Sequence, residues 1–329
     1  MTTQRYQELA QSALRQYPIS AYTLQFLRHH ENLTYRVQDT TGGSSYVLRI
    51  HLPRHEGFQG LQQHTLALQS ELSWLHALKQ ETDIPVQRPL LNLRQEFVTM
   101  LESPFETTTI PCTLLTWVRG HPFSQEAPSG ERLVSTLGEL MAKLHAHAQT
   151  WCHPEPFLRF SYDAQLLQGA LAKLRIGVQQ GIVNGDDASN ALEAGEYIVA
   201  LLKAMRTTPD IWGMIHADFP NGNVLVQGKA LIPIDFSLSG FGPYLLDIGI
   251  CLSNLQPSLR AAYLQGYGGP LSETQRHQIE AFIIMMILIS STRHLTNTEW
   301  HAWFQRRFPV IAQTYCPKLL RKETFLFDI

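Results

Sequence analysis

The chain changes its hydrophobic rhythm about a third of the way along. In the first third, apolar residues mostly alternate with polar ones. Leu33, Tyr35 and Val37 alternate with Asn32, Thr34 and Arg36. After the turn-forming run TTGGSS, Tyr46, Leu48 and Ile50 alternate with Val47, Arg49 and His51. A period of two marks strands with one buried face, and the glycine pair between them predicts a hairpin. The rhythm then lengthens to that of a helix over Leu61 to Lys79, where Leu68, Leu72, Leu75 and Leu78 form one stripe. Pro85 and Pro89 break it, and two more strand-like runs follow, EFVTML and PCTLLTWV. The pattern predicts a small antiparallel sheet carrying one helix.

The stretch RGHPFSQEAPSG, Arg119 to Gly130, holds two prolines and two glycines and reads as a loop between lobes. Beyond it the helical period dominates. Leu133, Leu137, Leu140, Met141 and Leu144 share one face, and further helices are expected at Asp163–Gln180, Asp187–Arg206, Ser258–Gln265 and Ser272–Ser290. The expected fold is therefore α+β with two lobes, one spanning residues 1–118 and a larger, mainly helical one spanning 119–329.

Composition narrows the function classes. With 329 residues and 44% hydrophobic content the chain can bury a substantial core. Its net charge of −2, without a lysine or arginine run, argues against nucleic acid or an anionic membrane as partner. The strongest apolar run, AFIIMMILI from Ala281 to Ile289, is too short to span a bilayer and predicts a buried helix. The N-terminus, MTTQRYQELAQSALRQYP, is polar and amphipathic, without the apolar core of a signal peptide. Cys112, Cys152, Cys251 and Cys316 are widely scattered and lack zinc spacing, which predicts reduced thiols in a cytoplasmic protein.

One stretch carries chemistry. In MIHADFPNGNVLV, Met214 to Val226, a histidine, an aspartate and two asparagines stand between apolar runs. The strands NVLV and ALIPI are joined by the turn QGKA, so a hairpin brings Asn223, at the start of one, beside Asp235, at the end of the other. An amide oxygen and a carboxylate at one hairpin end suit a hard cation such as magnesium, which takes oxygen ligands and completes its shell with phosphate and water. Asp218, in the loop feeding the hairpin, is a second carboxylate that can orient and deprotonate a hydroxyl. This is the division of labour of phosphoryl transfer, where a protein mainly positions groups and offsets charge.

HADFPNGN also has the His-x-Asp-x4-Asn pattern of a kinase catalytic loop, and IDF stands where kinases carry their metal-binding Asp-Phe-Gly. Without an arginine after His216, and with IDFSLSGFGPYLLDIG, the chain resembles the aminoglycoside phosphotransferase and choline kinase family. ENLTYRV, YVLRI, SELSWLHAL, TLLTWVRG, LGELMAKLHAHA and AAYLQGYG extend the likeness over most of the chain. The resemblance implies a protein-kinase-like fold with a nucleotide-binding N-lobe and an acceptor site in the helical C-lobe. It implies transfer of the γ-phosphate of ATP, with Mg2+, to a hydroxyl of a small molecule such as an amino alcohol, homoserine, a sugar or an antibiotic. Asp218 would take the acceptor proton, and Asn223 and Asp235 would bind the metal. Arg49 would meet the nucleotide phosphates with Glu71 as its ion-pair partner, and amides near Asn32 would face the phosphates. Backbone groups at Thr116 and Val118 would meet the adenine edge, unless LTWV is an ordinary strand end. Asp247 would clamp the backbone of the catalytic loop, His216 would brace it, and His145 and His147 would be packing residues.

The chain departs from the family pattern in three places. Arg49 stands where most kinases carry lysine, exchanging a point charge for a planar fork. The loop RHHENL lacks the glycines of a phosphate cradle, and DFSLSG lacks the acids that often follow the metal aspartate, which lowers the expectation of a polycationic acceptor. Three other readings stay open. They are a protein Ser/Thr kinase of the same family, a non-catalytic nucleotide-binding pseudokinase, and a metal hydrolase using His216 and Asp218 as ligands. The sequence leaves the acceptor, the choice between ATP and GTP, and the oligomeric state open.

Overall fold

The structure, a computed structural model, describes residues 3–29, 32–52, 64–102, 109–127, 129–220 and 222–327. Residues 61–63 of the expected helix, His30 and Glu31 of the expected phosphate loop, and Pro128 of the boundary loop lie outside these. In chain order the main elements are α1 (Thr3–Leu14), β1 (Tyr22–His29), β2 (Leu33–Asp39), β3 (Ser45–Ile50), α2 (Thr65–Glu81), β4 (Val98–Glu102), β5 (Thr109–Thr116), β6 (His121–Pro122), α3 (Gly130–Thr150), β7 (Phe160–Ser161), α4 (Ala164–Gln179), α5 (Gly185–Ala204), β8 (Trp212–Ile215), β9 (Val224–Gln227), β10 (Ala230–Pro233), β11 (Gly240–Pro243), α6 (Tyr244–Asn254), α7 (Arg260–Tyr267) and α8 (Glu273–Thr292). They divide into two compact units. The first comprises Met1–Pro122, Cys152–Arg159 and Leu225–Ser237, and the second Phe123–Trp151, Phe160–Val224 and Leu238–Ile329.

Alternation becomes sheet in the first unit. Five strands pair antiparallel in the order β1-β2-β3-β5-β4. Leu33, Tyr35 and Val37 of β2 lie opposite Ile50, Leu48 and Tyr46 of β3, so the apolar phase of both strands falls on one face. That face is covered by α1, whose Leu9, Ala10, Ala13 and Leu14 join Leu33, Val37, Leu48, Ile50 and Leu114 in one core. The amphipathic N-terminus thus forms a helix of its own, and the polar partner of Leu48, Arg49, is left on the opposite face. Edge strand β1 carries an alternation of its own, Tyr22, Leu24 and Phe26. The expected hairpin forms as β9 and β10, and β6 adds to its edge to give the order β10-β9-β6. Gly228 in its turn has φ +62°, a conformation that costs glycine nothing.

In the second unit the helical stripes become α3 to α8, and the caps are readable in the sequence. Asp163 accepts from the Leu166 amide, Asn184 from the amides of Asp186 and Asp187, and Ser272 with Gln275 forms a reciprocal capping box. Helices α3 and α7 approach through paired glycines: a Cβ on Gly138 would collide with the carbonyl of Tyr263, and one on Gly266 with that of Ser135. The run AFIIMMILI lies inside α8, where Ala281, Phe282, Ile284, Met285 and Leu288 are fully buried. No helix of the described residues is long and apolar enough to cross a membrane. A small sheet, β7-β11-β8, is parallel between β7 and β11 and antiparallel between β11 and β8.

The four cysteines form no disulfide; Cys112, Cys251 and Cys316 are buried and Cys152 is exposed. Burial pushes the thiols of Cys112 and Cys316 up to about 12 and raises that of Cys251 as well. Because the thiolate is the reactive species, an Ellman titration of the native protein at pH 8 should count one thiol, Cys152, and count all four only after unfolding.

Candidate active site

In the second unit, β8 delivers the chain into the HADFPNGN loop. The loop is held by one carboxylate. Asp247, fully buried in the first turn of α6, accepts from the His216 amide at 2.8 Å through Oδ2 and from the Ala217 amide at 2.7 Å through Oδ1. Ala217, the second of these donors, has φ +63°, a left-handed conformation that costs a residue with a Cβ about 1–2 kcal/mol. Such a conformation persists where its surroundings constrain it, and the two bonds accepted by Asp247 hold the backbone that leads into it. A third group reaches Asp247: His145 Nε2 lies 3.2 Å from Oδ2, while its Nδ1 lies 2.9 Å from the Tyr267 hydroxyl. With Nε2 donating to Asp247 and Nδ1 accepting from Tyr267, the imidazole joins both partners. The His216 ring is fully buried and meets Phe219 edge-on at 5.1 Å.

Asp218 itself is half-buried. Its Oδ2 accepts from Asn223 Nδ2 at 2.7 Å, and its backbone carbonyl accepts from the same nitrogen at 3.0 Å. The turn is closed by the Asn223 amide, which donates to the Pro220 carbonyl at 2.9 Å. With the amide nitrogen of Asn223 turned toward Asp218, its Oδ1 faces the other way as an acceptor. Asp218 and Asn223, five residues apart in the chain, are thus in direct contact.

The other expected site residues lie in the first unit. Arg49 Nη2 donates to Glu71 Oε1 at 2.6 Å, and its Nη1 stands 3.8 Å from Asp235 Oδ1. Burial alone would pull the Arg49 guanidinium down, but Glu71 and Asp235 hold it above its ordinary value. Neighbouring His51 is kept neutral, first by burial and then by the charge of Arg49. Asp235 has φ +61° and its Oδ2 also meets Arg28 Nη2 at 3.3 Å. The Arg28 side chain is 65% exposed, so this pair contributes little. Asn32 is half-buried at the start of β2. At the end of β5, the Thr116 amide donates to the Arg88 carbonyl at 2.9 Å and its carbonyl accepts from Gln87 Nε2 at 3.0 Å. The Trp117 amide donates to Ser45 at 2.8 Å, and the Arg36 guanidinium lies 4.7 Å over the Trp117 ring.

Two arginines of this cluster escape sequence reasoning, Arg28 and Arg159. The alternation of β1 could have placed Arg28 on a strand. Arg159 stands in no periodic segment, and its side chain is buried 3.7 Å from Glu71.

Each of the two expected metal ligands carries a donor that a hard cation accepts: Asn223, in the second unit, an amide oxygen, and Asp235, in the first, a carboxylate. Among the described residues no group of three His, Cys, Asp or Glu side chains could hold a metal ion. The hydrolase reading of His216 and Asp218 needs such a group.

The family model described as the phosphotransferase enzyme family matches residues 23–282. The chain belongs to this family and is a phosphotransferase of the protein-kinase-like fold. None of the curated proteins compared with the chain matches it. Among solved structures, a microcompartment-associated aminopropanol kinase is 23% identical over 97% of this chain and 99% of its own, with a TM-score of 0.73. An amicoumacin kinase, solved with AMP-PNP, Ca2+ and Ami, is 20% identical over 99% and 96%, with a TM-score of 0.75. A spectinomycin phosphotransferase, solved with ADP and spectinomycin, is 16% identical over 94% and 98%, with a TM-score of 0.63.

Removing Asp247 would leave two buried amides and His145 without their acceptor. Asp247→Ala should therefore lower unfolding free energy by about 3 kcal/mol in urea titrations. A loss below about 0.5 kcal/mol, the size of an ordinary surface change, would show that the carboxylate does not hold the loop.

Proposed function

We propose that this phosphotransferase moves the γ-phosphoryl group of ATP to a hydroxyl of a small molecule, with a divalent cation, magnesium in the cell. The observation that carries the reading is the contact between Asp218 and Asn223. One oxygen-bearing side chain is oriented by the amide nitrogen of the other, which directs the Asn223 oxygen away from Asp218. Asp218 accepts the acceptor's hydroxyl proton as that oxygen bonds to the γ-phosphorus and the bond to the ADP oxygen breaks. Asn223 and Asp235 supply oxygen ligands to the cation. When bound, that cation neutralises charge on the phosphate oxygens. Arg49, held by Glu71, presents its guanidinium to the phosphates in place of the usual lysine, and backbone near Asn32 faces them too. For the adenine edge, Val118 is the better candidate of the two positions considered, since the Thr116 amide and carbonyl already bond to residues 87 and 88.

The first unit is read as the nucleotide-binding lobe, and the helices of the second as the source of the acceptor pocket. The absence of further acids after Asp235 in DFSLSG points toward an acceptor of low positive charge. Four thiols without a disulfide fit a reducing, cytoplasmic setting. Named acceptors of the solved relatives, aminopropanol, amicoumacin and spectinomycin, define the first panel to try, with homoserine and sugars beside them.

The test is ADP release with this panel, comparing wild type with Asp218→Ala. A positioned general base contributes about 10²–10⁴-fold, so turnover should fall by about a thousandfold while ADP affinity stays within about threefold. Equal turnover in both proteins would reject the role of Asp218. Nucleotide binding without turnover on any acceptor would favour the pseudokinase reading.

A further inference from the structure

Arg159 belongs to no motif, yet its side chain is only 1% exposed, as buried as Glu71 beside it. A guanidinium so deep must have its donors satisfied, and the partners it has found are informative. Nη1 donates to the carbonyl of Ala67 at 3.0 Å, one turn before Glu71 on α2, and stands 3.7 Å from Glu71 Oε2. Nη2 donates to the carbonyls of Phe236 at 3.1 Å and Ser237 at 2.8 Å. Those two residues directly follow Asp235. The preceding amide, that of Leu158, donates to Ser70 Oγ at 2.9 Å, so two consecutive residues of segment 152–159 are fastened to α2.

The segment after Asp235 needs such fastening. Asp235 is held at φ +61°, a strained conformation for a side-chain-bearing residue. Phe236 is fixed on its ring side by Trp74 of α2, edge-on at 5.3 Å. Its backbone is fixed by Arg159. Glu71 then faces two guanidiniums, Arg49 through Oε1 and Arg159 through Oε2. One carboxylate cannot saturate both, and Arg49 Nε is buried with no hydrogen-bond partner among the described residues.

We propose that Arg159 is a positioning residue for phosphoryl transfer, clamping the backbone after Asp235 to α2 and so fixing the direction in which the Asp235 carboxylate meets a divalent cation. The inference rests on the kinase reading above. Arg159 touches neither nucleotide nor acceptor in this account; it acts through Asp235.

The experiment compares wild type, Arg159→Met and Arg159→Lys by calorimetric titration with ADP, once with excess Mg2+ and once with EDTA. Melting curves without ligand report folding. Loss of a group that orients a metal ligand costs on the order of 10–100-fold. Arg159→Met should therefore weaken Mg2+·ADP about tenfold or more, and metal-free ADP by less than about threefold. Arg159→Lys keeps the charge but not the fork, and its loss should be intermediate and again confined to the Mg2+ titration. Equal weakening with and without Mg2+, or none, in a folded variant overturns the proposal. Should the Met variant fail to fold, the Lys variant decides by the same comparison. If wild type binds ADP in neither condition, the kinase reading itself fails and takes this inference with it, a result visible without any variant.

Discussion

The carboxylate of Glu71 is removed from water and shared by two guanidiniums, and the first unit is organised around that fact. An isolated buried charge is costly, and a buried pair is tolerated only when geometry and further hydrogen bonds compensate. Here the compensation ties together elements far apart in sequence. Arg49 brings in β3, Glu71 and the Ala67 carbonyl bring in α2, and Arg159 brings in the backbone of Phe236 and Ser237. Asp235 is thereby set beside Arg49 in a conformation it would not adopt alone. The Arg-for-Lys departure fits this cluster, since a fork can bond Glu71 with one nitrogen while another faces Asp235.

The second unit solves a similar problem with another buried carboxylate. Asp247 grips the amides of His216 and Ala217, the second of which is left-handed, and so fixes the start of the loop that carries Asp218. In each unit side-chain–backbone bonds to a residue distant in sequence fix the chain next to a left-handed residue of the candidate site, Asp235 or Ala217. Strain of this kind collects at functional sites, and in a phosphotransferase, where positioning supplies most of the catalysis, that placement has a clear purpose.

Local chemistry was legible in the sequence; closure at a distance was not. Period-two alternation placed β2 and β3 with the right face buried, and the leucine stripe placed α2 within a few residues at its C-terminal end. The apolar runs on either side of QGKA became the β9–β10 hairpin, whereas the hydrogen bond between Asp218 and Asn223 was not foreseen. Glu71, picked out by its place on the helix, does pair with Arg49. Strand β1 could have been read from Tyr22, Leu24 and Phe26, and α1 from its apolar face. Arg159 could not, because its partners are backbone carbonyls at positions 67, 236 and 237, and carbonyls carry no sequence signature. The same holds for Thr116, whose backbone groups are engaged by residues 87 and 88.

The central claim is that phosphate leaves ATP for a hydroxyl rather than for water. It is tested most directly by 31P NMR of the wild-type protein with ATP, Mg2+ and each compound of the acceptor panel. The account predicts a new phosphomonoester resonance with at least one acceptor, growing in step with ADP. ATP consumed with inorganic phosphate as the sole other product, whatever the acceptor, would contradict it.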